Sequence, residues 1–104
     1  MEEKLKMIPK TFNLFATEIK VVFDNQKMND MNCYGLSDYS TSTITLANTD
    51  GTQKLSEGKL MDTFYHEKVH IILNTMNENE LSKNENFVDV FAKLLRQSDV
   101  TSKY

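Results

Sequence analysis

Tyr65-His66-Glu67-Lys68-Val69-His70 is the stretch on which the reading of this chain turns. Its two histidines are the only two in 104 residues, and they fall within five consecutive positions. On a helix, residues four apart lie one turn above each other, so both imidazoles can project to one side and share an ion. Glu67 is offset by about 100° and can reach a water on that ion without ligating it. The surrounding pattern predicts such a helix. Ser56 is a plausible N-cap followed by acidic Glu57, and Gly58 to about Met76 contains no proline. Met61, Tyr65, Val69, Ile72 and Met76 recur at the spacing of one helix face. Chance is a weak rival, because two histidines fall four apart in only about 2% of random placements.

Two histidines do not complete a catalytic zinc site, which usually takes three protein ligands and an open position. Cys33 lies far away in sequence, so the third ligand is expected to be a carboxylate. Glu78, Glu80, Glu85 and Asp89 are the candidates. A second helix is expected from about Lys83 to Gln97, with Phe87, Val88, Phe91, Leu94 and Leu95 on its apolar side. Asn77 to Lys83 forms the polar connection between the two helices. Glu85 is best placed, in the first turn of the second helix, and Asp89 lies one turn further on to orient an imidazole. Ser82-x-x-Glu85 also matches a capping box, which would give Glu85 a purely backbone role.

The front half reads differently. Thr11 to Phe23 is rich in Phe, Ile, Val and Thr and predicts two short strands or one bent strand. Asp24 to Asn32 reads as a loop and Cys33 to Ala47 as a hairpin, with Asn48-Thr-Asp-Gly51 as a turn. Strands followed by helices argue an α+β chain forming one domain over 1–104, with a frayed, disordered tail from about Ser98 to Tyr104. Net charge is −3 and the bases are scattered, which argues against nucleic acid as a partner. No stretch has the ~18 apolar residues that span a bilayer, and the mixed-charge opening lacks an export signal. A cytoplasmic protein with no membrane partner is the expectation. The Lys/Glu-rich start reads as a solvated face, Met61 and Met76 as core fillers, and Cys33 as a small semi-buried residue.

Asn84-Glu85-Asn86-Phe87-Val88-Asp89 resembles the Asn-Glu-x-x-x-Asp signature that follows His-Glu-x-x-His in thermolysin-like gluzincins. Glu85 to Ala92 also resembles the corresponding helix of ImmA/IrrE metallopeptidases, which belong to phages and mobile elements. The resemblance covers Asp62 to Gln97 specifically and the front half loosely. It implies a minimal zincin-like domain, with a short, mostly antiparallel sheet before the His-Glu-x-x-His helix and the helix carrying the third ligand. It implies zinc on His66, His70 and Glu85, Glu67 as general base, and Asp89 behind a histidine. Only fourteen residues separate His70 from Glu85. Large gluzincins add a further His or Tyr against the oxyanion, a place that Tyr34, Tyr39 or Tyr65 could take here.

The motif alone supports metal-assisted hydrolysis, and the resemblance makes it a zinc metallopeptidase acting on a peptide or protein substrate. The alternative is a noncatalytic zincin-fold binding or regulatory protein with a structural metal. Thr43 to Leu46 is expected at the sheet edge, either as an ordinary edge strand or as one that pairs with extended peptide.

Overall fold

The computed structural model describes residues 8–104, so most of the charged opening lies outside the described residues. Strand β1 (Thr11–Leu14) pairs antiparallel with β2 (Thr17–Phe23), with Phe12 opposite Ile19. Phe15 and Ala16 make the whole connection, and Phe15 adopts φ 54°. That left-handed position is usually announced by Gly or Asn, which is why the pattern left one bent strand as an option. Strand β3 (Gly35–Asp38) pairs antiparallel with β4 (Thr43–Leu46), and a 3₁₀ turn at Tyr39–Thr41 joins them as the expected hairpin.

The sheet order is β1-β2-β4-β3, with β2 and β4 parallel. The fold is therefore α+β with a mixed sheet, two of whose three pairings are antiparallel. Thr43–Leu46 is not an edge strand. It is inserted between β2 and β3, and Ile44 and Leu46 are fully buried. A parallel pair needs a crossover between its strands, and here that crossover carries the chain out to β3 before β4 returns inward. Strands β1 and β3 are the edges.

Asp24–Asn32 is not simply a loop, because Asn25–Asp30 forms a short helix, α1. The Asp24 carboxylate accepts the Lys27 N–H at 3.0 Å, and Met28 is completely buried. One buried residue in six leaves no periodicity to detect, so the polar composition dominates the reading.

Helix α2 (Glu57–Thr75) starts as expected, with the Ser56 hydroxyl accepting the Lys59 N–H at 3.1 Å. Its end is built by Asn77 at φ 64°, with the Glu78 N–H donating to Leu73 O at 2.8 Å and the Asn77 N–H to Asn74 O at 3.0 Å. This Schellman-type closure satisfies the last carbonyls and reverses the chain. A single helical turn, α3 (Asn79–Ser82), occupies the expected polar connection, and α4 (Glu85–Thr101) follows. The capping box is absent. Asn84 is the cap, its side chain accepting the Phe87 N–H at 3.1 Å, which leaves Ser82 and Glu85 free for other partners.

Helix α2 packs on the sheet, and α4 packs antiparallel against α2. Val69, Ile71, Leu73, Val88 and Ala92 join Ile19, Val21, Ile44 and Leu46 in the core. Two expected faces shift. Met76 is exposed and Ile72 only half-buried, whereas Phe64, Ile71 and Leu73 are buried, because α2 is clasped by the sheet and by α4 together. On α4 the buried line runs through Val88 and Ala92, and this rotates Phe91 and Leu94 outward. Residues 98–101 are helical rather than frayed. Asp99 holds them, accepting the Tyr65 hydroxyl at 2.6 Å, while Arg96 pairs with Asp62 at 2.7 Å. Among the described residues no helix is long and apolar enough to cross a membrane.

Burial and the Asp99 carboxylate push the Tyr65 phenol up to about 12. The fold thus favours the neutral phenol. Its contribution is complete below the ordinary value near 10 and is lost as pH rises from there towards 12. Tyr65→Phe is expected to cost about 1–2 kcal/mol in urea unfolding at neutral pH. The gap from wild type should narrow above pH 10, and in an ultraviolet titration Tyr65 should ionise after a tyrosine free in solution.

Candidate metal centre

His66 and His70 stand one turn apart on α2 and face the start of α4. Their Nε2 atoms are 3.2 Å apart. Glu85, the first residue of α4, brings one carboxylate oxygen within 3.2 Å of His66 Nε2 and the other within 3.4 Å of His70 Nε2. The Schellman turn after α2 and the single turn of α3 make this possible, because together they reverse the chain within fourteen residues.

Two imidazoles and a carboxylate are donors of the kind that a transition-metal ion takes. Two ring nitrogens 3.2 Å apart fit either an N–H···N hydrogen bond or two ligands of one cation. Ligands at about 2.0–2.1 Å in a tetrahedral arrangement stand about 3.3 Å from one another. The 3.2 Å between the two Nε2 atoms, and the 3.2 and 3.4 Å approaches of the two Glu85 oxygens, one to each ring, lie close to that value. These three residues form a group whose donor atoms all lie within 4.8 Å of one another. Glu78 and Glu80 do not belong to it. The Glu85 side chain is 67% exposed, so the cluster opens to solvent on the α4 side.

His70 Nδ1 lies 2.9 Å from the Ser82 hydroxyl. With the proton on Nδ1 donated to Ser82 Oγ, Nε2 keeps its lone pair directed at the cluster. Ser82 is buried, and sequence reasoning missed this role by assigning it to a capping box. Its one available signal was a hydroxyl placed three residues before Glu85. Asp89 stands 4.0 Å from His66 Nδ1, beyond hydrogen-bond reach, and pairs with Lys93 at 3.2 Å. The structure thus brings Asp89 to His66 without a direct bond.

Glu67 lies against Gly35 of β3, is almost completely buried, and stands near enough to His66, His70 and Glu85 for their charges to act on it. Burial pushes its carboxyl above the ordinary carboxylate range, against the opposing influence of His70, His66 and the Ser37 hydroxyl. Gly35 makes room for it. A Cβ there would stand 2.6 Å from Thr63 Cγ2 and 3.0 Å from Glu67 Cγ. Tyr34, Gly35, Lys59, His66, Glu67 and Asp89 help to line an open groove of about 490 Å³ between β3 and α4. Of the three tyrosines considered for the oxyanion, Tyr34 lines this groove. Tyr65 is committed to Asp99 and Tyr39 lies on the exposed 3₁₀ turn. Cys33 also reaches the groove, but its thiol contacts the Met28 sulfur at 3.7 Å.

Compared with protein-family models, curated proteins and solved structures, the chain matches none of them.

The close approach of β3 to α2 has a measurable consequence. Gly35→Ala should overpack against Thr63 and Glu67 and lower stability by about 1–3 kcal/mol. An unchanged urea midpoint would mean that the strand does not press on the helix as described.

Proposed function

We propose that this chain is a zinc-dependent metallopeptidase of zincin type, with His66, His70 and Glu85 as the ligands. The observation that carries the reading is the spacing of their donor atoms, 3.2 to 3.4 Å across two helices. Zinc bound by such a set acts as a Lewis acid on a carbonyl and lowers the pKa of its water to about 7. Ser82 fixes the His70 tautomer, and Asp89, paired with Lys93, stands 4.0 Å from the His66 ring. Glu67 accepts the proton of the attacking water and delivers it to the leaving amine. The unpaired outer edge of β3, beside Glu67, offers backbone groups to an extended peptide.

A noncatalytic domain, with metal clamping α2 to α4, would account for the ligands but not for Glu67. Burying a carboxylate is costly, and a structural site has no use for one beside the ligands.

Metal analysis and cleavage assays separate the two readings. Wild type and Glu67→Gln should each hold about one zinc per chain, with cleavage of a proteome-derived peptide library falling roughly 100-fold or more in the variant. Equal cleavage by both overturns the catalytic assignment. Ser82→Ala should weaken zinc binding by about tenfold. Zinc content unchanged in Glu85→Ala overturns the ligand set.

A further inference from the structure

The groove beside the metal centre has an uneven charge lining. Asp62 is neutralised by Arg96 at 2.7 Å and Asp89 by Lys93 at 3.2 Å. Lys59 also lines the groove, and no carboxylate among the described residues lies within salt-bridge distance of it. Its ammonium sits 4.7 Å from the centroid of the Tyr34 ring, on the opposite wall. A lysine held over an aromatic face keeps its full charge, because the ring contributes only quadrupole attraction. This charge is open to a partner arriving in the groove.

Position adds to the argument. Lys59, Thr63 and His66 recur along one face of α2, and all three line the groove. Lys59 and His66 are seven positions apart on the helix, a rise of about 10 Å. An extended peptide covers that distance in about three residues. Gly35, at the start of the edge strand β3, lines the same stretch, so a strand added there would run past both positions.

We propose that Lys59, braced on Tyr34, is an anion-recognising subsite that selects peptides bearing a carboxylate within about three residues of the scissile bond. The carboxylate is supplied by an acidic side chain or by a free C-terminus. This deepens the peptidase reading and rests on it for the reaction, but the subsite is testable as a binding site without turnover.

The test is binding of labelled hexapeptides of Ala, Gly and Ser to the full chain, metal-free and zinc-loaded, read by fluorescence anisotropy. One arm compares a single Glu with Gln in end-blocked peptides. The other compares a free C-terminal carboxylate with its amide in peptides without an acidic residue. In at least one arm the carboxylate form should bind about fivefold tighter, the scale of a partly exposed charge pair, and the arm identifies the source. The preference should vanish in Lys59→Met and reverse in Lys59→Glu towards a Lys-containing peptide. Lys59 is exposed, so both variants should retain the wild-type circular dichroism spectrum. Equal binding of carboxylate and neutral forms overturns the subsite, and so does a preference that persists in Lys59→Met. A preference seen only with zinc and indifferent to Lys59 is direct ligation of the metal and overturns it too. Cleavage without the preference would sink the subsite and spare the peptidase, whereas the preference without cleavage would do the reverse.

Discussion

Close antiparallel packing of α2 on α4 is the constraint on which everything else in this chain depends. Val88 and Ala92 supply it, both buried against the α2 side of the core. Removing a valine side chain from water contributes roughly 1.5–3 kcal/mol, more than the half-exposed Asp62–Arg96 pair can add. Alanine at position 92 matters for a different reason, since a small side chain lets two helices approach closely. Once these residues set the register, Asp62 lies across from Arg96, His66 across from Asp89, and His70 across from Glu85. The polar pairs read out a register that apolar packing established. Near the C-terminus Asp99 extends the same contact by holding Tyr65.

Polar groups placed in or beside a core raise the cost of error, and this chain meets that cost by partnering them. Tyr65 reaches Asp99, His70 reaches Ser82, and no fully buried side-chain nitrogen or oxygen among the described residues lacks a partner. Glu67 is the exception in kind. Its carboxyl is driven upward by burial, in a place where an apolar side chain would pack more cheaply. Local rules are commonly broken where a protein keeps a group for its chemistry. Gly35 belongs with Glu67, since β3 reaches the helix at this point because the residue there lacks a side chain.

Legibility differed along the chain for physical reasons. The α2 start was plain because Ser56 and Glu57 act locally, through a hydroxyl on a free N–H and a charge on the helix dipole. The β3–β4 hairpin was plain because its turn residues are polar and its strand alternates. The β1–β2 turn was obscured by Phe15 at a position where Gly or Asn would be usual. Helix α1 was hidden because a six-residue element with one buried side chain has no period to show. Phe91 and Leu94 were assigned inward on apolar character alone, and they face solvent because Val88 and Ala92 define the contact.

The sequence by itself determined the α+β class, the α2 helix and the placing of His66 and His70 on one of its sides. These follow from local forces and from the 3.6-residue turn, which act between near neighbours. It also narrowed the carboxylate expected beside the two histidines to a few residues. Only the tertiary structure decided that Glu85 stands 3.2 and 3.4 Å from the two imidazoles, that Ser82 backs His70, and that β3 rather than β4 is an outer strand. Those facts depend on how Asn77 reverses the chain and on which side of β2 the returning strand enters. Both are settled by burial of surface between segments distant in sequence, and no local pattern encodes that.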